Sequence, residues 1–474
     1  MDLAVDLSAR GDRSTAIYRA LLDAIRSGRL GTGDRLPASR DLAGDLGVSR
    51  NTVATAYERL VAEGYLEARV GAGTFVTGVA ATVRPSRRGA ALRPRRGWRF
   101  TALPVSGQAP KPAHDFRVGI PDASLFPFDT WRRLVSAELR AGAHGPGTYA
   151  DPAGHPPLRE AIVRYLALSR GVAADAREVL VTHGTQQALD LIARVLVEPG
   201  DVVAVEDPGY PFARELFASY GAHVVPVPVD VDGLVVERIP ERARLVFTTP
   251  SHQFPLGPPL SLERRLALLE FADRHRVAVI EDDYDSEFRF TERPLETLYA
   301  LDGAGRVIYV GTFSKSLVPA LRAGYLVAPP TLLPALCGAR QLADGYGAIP
   351  EQAALGHLLA DGLLARHLRR ARTVYGERRA LTIDGIDTLL AEHLERVPSA
   401  AGLHVAAWFR DPGRDDAAVA GLAAAEGVAV DAITGYGGDR PGLVFGYGAA
   451  ETASIRPGLE RLRTLLDRGT PASR

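Results

Sequence analysis

The 474 residues are 46% hydrophobic and 24% charged, a mixture that excludes a disordered or fibrous chain and is too long for one core. No apolar run reaches the roughly 18 residues of a membrane span, the start Met1-Asp2-Leu3-Ala4-Val5-Asp6 lacks the pattern of a signal peptide, and the single cysteine, Cys337, rules out an internal disulfide framework, so a cytoplasmic protein is expected. The 56 basic and 56 acidic residues cancel, but unevenly: residues 1–78 hold ten of each sign, 79–113 eight basic and no acidic, and 114–474 a net charge of −8. A neutral head, a basic connector and an acidic body imply segments with different partners.

In the head, residues 14–27 (STAIYRALLDAIRS) place Ile17, Leu21, Leu22 and Ile25 at helical spacing and close at Gly28. A turn cluster at Gly31–Pro37 precedes a short helix, Ser39–Leu46, stopped by Gly47. A third helix opens on Ser49 as N-cap and runs through Arg50, Asn51, Thr52, Val53, Tyr57 and Leu60 to Gly64. Two short helices joined by a tight glycine turn, the second rich in Arg, Asn and Thr, form a helix-turn-helix pattern. Tyr65–Arg69 and Gly73–Thr77 then make a β-hairpin in the place of a wing. Arg50 and Asn51 suit base edges, and Ser49, Thr52 and Thr55 suit phosphate oxygens; taken singly, the same residues also suit a cap and a solvated face of a protein-binding bundle. The stretch LPASRDLAGDLGVSRNTVATAYERLVAEGYLEARVGAGTFV closely resembles the winged helix-turn-helix of GntR-type bacterial regulators. That resemblance implies that Arg35, Arg40, Ser49, Arg50, Thr52, Thr55 and Gly73 face double-stranded operator DNA.

Residues 79–113 carry seven arginines, Lys111 and five prolines with no periodic apolar face, the composition of a flexible linker reaching on the order of 30–35 Å. Its arginines either grip phosphates or simply keep the tether solvated.

From about residue 158, helices such as Gln186–Leu196, Ala213–Tyr220 and Leu262–His275 alternate with apolar runs at Val179–Thr182, Val202–Glu206, Leu245–Thr248, Val277–Glu281, Val307–Val310 and Tyr325–Val327. The alternation predicts an α/β body with a mostly parallel sheet covered on both faces, and ligands at the C-terminal strand ends. The polar clusters fall there. His183-Gly184-Thr185-Gln186 opens a helix with small residues, a place for an anion such as phosphate. Asp207-Pro208-Gly209-Tyr210 presents an aromatic that stacks on a planar ligand or packs in its turn. Glu281-Asp282-Asp283-Tyr284-Asp285 concentrates four acids, which calls for cation partners or a site. A divalent metal is the competing reading of that run, although no histidine or further carboxylate cluster completes a coordination shell nearby in sequence. Thr312, Ser314 and Arg322 flank Lys315, one of two lysines against 54 arginines, at a strand end suited to a Schiff-base amine.

Phosphate cup, stacking ring, carboxylate, phenol and lysine together suit pyridoxal 5'-phosphate. Residues from about 114 onward resemble a fold-type I, class I aminotransferase, with a large subdomain at about 158–350 and a smaller α+β subdomain at about 351–474. The whole chain resembles the MocR-type regulators, in which such a body is joined to a GntR head. The resemblance implies that Lys315 carries the cofactor, Asp282 pairs with its ring nitrogen, Tyr284 contacts its phenolic oxygen, and Tyr210 stacks on its ring. Gly184, Thr185, Thr312, Ser314 and Arg322 would hold its phosphate, and no metal is expected. The run Thr249-Pro250-Ser251-His252-Gln253-Phe254-Pro255-Leu256-Gly257 fits the MocR pattern TPSHQ-x-P-x-G. Aminotransferases carry an asparagine where Phe254 stands, and an arginine for the substrate carboxylate where Val444 stands, leaving Arg440 or Arg456 as substitutes. Weak or no transaminase turnover is therefore expected. A regulator that senses an amino-group effector or pyridoxal phosphate itself is expected instead, as a head-to-tail homodimer. The alternative is a working aminotransferase with an attached regulatory head.

Overall fold

The computed structural model describes residues 12–78, 93, 98, 100, 111–140, 148–290 and 296–468. Most of the connector expected over 79–113 therefore lies outside the described residues. The chain divides into two compact units, 1–98 and 99–474.

In the first unit, helices α1 (Arg13–Arg26), α2 (Ser39–Leu46) and α3 (Arg50–Ala62) precede an antiparallel hairpin of β1 (Leu66–Arg69) and β2 (Gly73–Val76). Local chemistry sets each boundary. Asp12 caps α1 by accepting from the Ser14 N–H, and Gly47 ends α2 in the left-handed region at φ 64°. Ser49 caps α3 by accepting from the Thr52 N–H at 3.1 Å. The core is Ile17, Leu21, Ile25, Leu36, Leu42, Val53, Leu60, Leu66 and Val76, which joins all three helices to the hairpin. Truncating one such leucine costs about 2–5 kcal/mol. Arg35 bridges Phe75, so the turn cluster adds a third extended segment to the wing.

The second unit is built on an eight-stranded sheet in the order β4-β11-β10-β9-β8-β5-β6-β7. These strands are β4 (Val179–Thr182), β5 (Val202–Asp207), β6 (His223–Asp230), β7 (Gly233–Leu234), β8 (Ala243–Thr248), β9 (Ala278–Asp283), β10 (Val307–Thr312) and β11 (Gly324–Val327). β6, β5, β8, β9 and β10 run parallel, while β11 is antiparallel to both of its neighbours and β7 to β6. Helices cover both faces, so alternate residues enter different cores. Val203, Phe247, Ile280 and Ile308 pack with the helix Thr185–Leu196, whereas Val202, Val246, Val279 and Val307 pack with Leu268 and Ala272 of the helix Leu262–His275. All six expected strands are present. β6 was not expected, because Val-Pro-Val-Pro lacks alternate N–H donors. It is tolerated beside the edge, where β7 pairs only with Val229 and Asp230, away from Pro226 and Pro228.

The smaller part carries an antiparallel sheet, β12 (Leu394–Arg396), β13 (His404–Phe409), β16 (Gly442–Gly446) and β15 (Asp431–Ala432), in that order, and a short parallel pair of β3 (His114–Asp115) with β14 (Val428–Ala429). The 27-residue helix Leu363–Leu389 and the helix Thr452–Asp467 pack with it through Leu394, Val405, Leu443, Leu459 and Leu462. Among the described residues no helix is long and apolar enough to cross a membrane.

Candidate functional site

On the first unit, Arg35, Arg40, Ser49, Arg50 and Thr55 are exposed, and Thr52 and Gly73 are half-buried. Several hydroxyls are already engaged. Ser49 Oγ lies 2.8 Å from Thr52 Oγ1, and Thr55 donates to the Asn51 carbonyl at 3.0 Å. Gly73 has φ 118°, and a Cβ there would stand 2.9 Å from Arg35 Nε, so this glycine makes room for the guanidinium.

On the second unit the expected residues lie about the C-terminal ends of β4, β5, β9 and β10, with Arg322 just before β11. β4 delivers Gly184, which has φ 85° and stands as N-cap of the helix Thr185–Leu196 with no side-chain cap, so N–H groups of its first turn are open to an anion. Gly324, which opens β11, approaches so closely that a Cβ on it would lie 2.7 Å from the Gly184 Cα. Arg322, left-handed at φ 49°, donates to the His183 carbonyl at 2.6 Å, and its guanidinium lies 3.6 Å from the position a Gly184 Cβ would take. After β10, Thr312 Oγ1 lies 3.0 Å from Ser314 Oγ and accepts from the Ser314 N–H at 3.1 Å. Cations, hydroxyls and free N–H groups thus share one corner.

The acidic run sorts itself by strand alternation. Glu281 accepts from the Leu298 and Tyr299 N–H groups at 3.1 and 2.9 Å, and Arg265 stands at 3.9 Å. Asp283 pairs with Arg170 at 2.6 Å and accepts from the Tyr309 hydroxyl at 2.5 Å. Asp285 lies against His252. Asp282, on the opposite face from Glu281 and Asp283, is buried with one long contact, Thr185 Oγ1 at 3.5 Å. Burial, reinforced by Asp283 and opposed by Lys315, pushes its carboxyl up to about 8. This site fits a cationic N–H partner. Lys315 donates to the Gly119 carbonyl at 2.7 Å, and burial holds its amine below the ordinary lysine range against the pull of Asp285 and Asp282. A less protonated amine is the nucleophile that carbonyl chemistry needs.

Tyr210 lies near Phe247 with ring centroids 6.5 Å apart and has Phe254 edge-on at 5.9 Å. Phe254 also meets Tyr284, His404 and Tyr436, at 5.9, 5.7 and 5.0 Å. Its loop is fixed by buried Glu206, which accepts from Thr248, both donors of Thr249, and Gln253. Neither suggested arginine substitute is free. Arg440 is half-exposed, 3.5 Å from Glu395 and stacked over Trp408, and Arg456 pairs with Glu460 at 3.2 Å. Val444 is buried in β16, opposite Ala406 and Asp431.

Sequence reasoning missed Gly119, Arg170 and a group formed by His252, Asp285 and His404, whose nitrogen and oxygen atoms lie within 4.8 Å of one another. His252 and His404, both distant from the acidic run in sequence, arrive beside Asp285 from other elements.

Residues 122–444 match the family described as Aminotransferase class I and II, and residues 13–76 match Bacterial regulatory proteins, gntR family. The chain is similar to the probable rhizopine catabolism regulatory protein MocR of Rhizobium meliloti, at 39% identity over 100% of this chain and 99% of that protein. It is also similar to the HTH-type pyridoxine biosynthesis transcriptional regulator PdxR of Corynebacterium glutamicum, at 35% identity over 93% of this chain and 94% of that one. Its fold matches kynurenine aminotransferase of Pyrococcus horikoshii, solved in complex with PMP, with a TM-score of 0.70 at 28% identity over 75% of this chain and 91% of that one. With a gntR-type head and an aminotransferase-like body in one polypeptide, the chain belongs to the MocR-type transcriptional regulators.

Proposed function

We propose that the body binds pyridoxal 5'-phosphate at Lys315, and that pyridoxal phosphate or an amino-group effector meeting it there changes how the winged heads engage operator DNA. The observation that carries this reading is Asp282, a buried carboxyl with a single 3.5 Å contact beside a buried lysine amine. A pyridinium N–H supplies the missing partner, because a buried carboxylate is stable only when paired. Gly184, Thr185, Thr312, Ser314 and Arg322 would hold the phosphate, Tyr210 would cover the ring and Tyr284 would face its phenolic oxygen. When bound, the cofactor supplies an electrophilic carbon that captures primary amines reversibly and a ring that withdraws electrons.

The protein's part is to position and to switch. A ligand moves the equilibrium between two DNA-binding states only to the extent that it binds them unequally. A homodimer of two bodies, with each head over its partner's body, would present two recognition helices to paired half-sites.

The test is an absorbance spectrum of the purified protein with added pyridoxal phosphate, repeated on Lys315→Ala, together with operator binding by fluorescence anisotropy. A visible band that disappears in the variant, with cofactor-dependent operator affinity in the unmutated protein, is the expected result. A protein that binds operator with no such band under any loading condition overturns the proposal.

A further inference from the structure

His252 follows β8, is 1% exposed, and meets three groups. Its Nδ1 lies 3.1 and 3.2 Å from the two Asp285 carboxylate oxygens and 2.9 Å from the Tyr284 hydroxyl, and its Nε2 lies 3.2 Å from Ser399 Oγ. An imidazole nitrogen carries a proton or a lone pair, never both. Donating to Asp285 requires the proton, whereas accepting from Tyr284 requires the lone pair.

Asp285 decides between them. It is 1% exposed, and its further donor is the Leu403 N–H at 3.2 Å. A lone pair at Nδ1 would face that carboxylate at 3.1 Å with no proton between them, leaving a buried anion short of a donor. Ser399 accommodates the protonated Nδ1 in either of two ways. It donates to an Nε2 lone pair, or it accepts from Nε2–H while donating to the Ala401 carbonyl at 3.2 Å. His404, with its ring centroid 4.6 Å from that of His252, does not compete for the carboxylate: burial, then His252, pushes it down to about 3 and keeps it neutral. Gly402, at φ 84°, lies flush against His252 and Asp285, where any side chain would overlap both.

With Nδ1 occupied, the Tyr284 hydroxyl accepts from His252 and keeps its own proton. Among the described residues that hydroxyl has no other hydrogen-bond partner, and burial holds it protonated. We propose that the Asp285–His252 pair is a positioning device that turns Tyr284 into a hydrogen-bond donor toward the phenolic oxygen of the cofactor. This rests on the reading that pyridoxal phosphate binds at Lys315. In this arrangement the two residues act through Tyr284.

The test compares two isosteres in the full-length, pyridoxal-phosphate-loaded protein. His252→Asn keeps an N–H near the Nδ1 position, and His252→Gln moves it to the Nε2 position. Donation from Tyr284 stabilises the deprotonated phenolic oxygen, so losing it raises the midpoint at which the visible band titrates with pH. His252→Asn should titrate as the unmutated protein does. His252→Gln should titrate about one pH unit higher, a tenfold change in proton affinity, because Tyr284 then donates to Asp285. Tyr284→Phe should produce the same rise, and Tyr284→Phe/His252→Gln no further rise. Equal shifts in both isosteres, or shifts that add to that of Tyr284→Phe, overturn the inference. A Lys315-dependent band with an unchanged midpoint in His252→Gln overturns it alone, whereas no band in the unmutated protein overturns the cofactor reading. Folding of the variants is bypassed by ¹⁵N spectra of the unmutated protein, which should show His252 protonated at Nδ1; a bare Nδ1 sinks the proposal.

Discussion

The Lys315 amine donates a 2.7 Å hydrogen bond to the Gly119 carbonyl, 196 residues earlier in the chain. Gly119 has φ 80°, and a Cβ there would stand 3.0 Å from Nζ. The segment before the first long helix of the body therefore lies against the Lys315 amine, and a methyl group on Gly119 would crowd it.

Gly119→Ala should accordingly destabilise the protein by about 1 kcal/mol through left-handed strain and displace the amine. Chemical denaturation reads the first effect, and the rate of pyridoxal phosphate loading reads the second. An unchanged midpoint together with unchanged loading would remove Gly119 from the site.

Asp282 provides a pH test. Its folded-state value of about 8 lies above the ordinary 3.8, so below about pH 4 both folded and unfolded states are protonated and no stability depends on it. Between about 4 and 8 the unfolded state has released its proton and the folded state has not, so stability of the cofactor-free protein falls as pH rises. Asp282→Asn should flatten this decline and stabilise the cofactor-free protein at pH 8 by at least about 1 kcal/mol. It should also weaken pyridoxal phosphate binding on the order of 100-fold or more, the cost of removing one member of a buried charge pair. Thermal melts across pH and cofactor titrations measure both, and opposite signs are the expected signature.

Arg322 tests the phosphate corner. Arg322→Ala removes a charge-assisted donor of about 1.5–3 kcal/mol, hence roughly ten- to a hundredfold in affinity for pyridoxal phosphate. Binding of pyridoxal, which has no phosphate, should be the same in variant and unmutated protein. Equal losses for both compounds would place Arg322 elsewhere.

In the head, Ser49→Ala should cost about 1 kcal/mol of stability by uncapping α3, since Ser49 accepts from Thr52 N–H at 3.1 Å. Arg50→Ala should leave stability within about 0.5 kcal/mol yet weaken operator binding. A drop of about 1 in the salt slope would assign it to a phosphate, and relaxed sequence preference to a base edge. A melt combined with salt-dependent anisotropy separates the two roles.

The strands were legible where both faces are buried, because Val202–Val205 and Val307–Val310 then read as uninterrupted apolar runs. β6 was not, since two prolines mask a strand that pairs on one side over most of its length. The acidic run announced a site, but not which acid serves it. The family resemblance pointed to Asp282, and the physical reason lies in space, where Arg170, Arg265 and His252 arrive from other elements to take up Asp283, Glu281 and Asp285. Likewise His404 and Ser399 reach His252 from about 150 residues away, a separation no local spacing encodes.

The near-contact of Gly184 with Gly324 carries a lesson about variation. The backbones that leave β4 and enter β11, neighbouring strands at one edge of the large sheet, meet at the proposed phosphate corner, and a side chain on Gly324 would overlap the Gly184 backbone. At Gly184 the obstacle is the positive φ of 85°, a backbone conformation that L side chains rarely adopt. Neither position has a compensating partner that could shrink, because both are already hydrogen at Cα. A saturation library screened for folded, operator-binding protein should therefore come back nearly empty at both codons while neighbouring surface codons diversify.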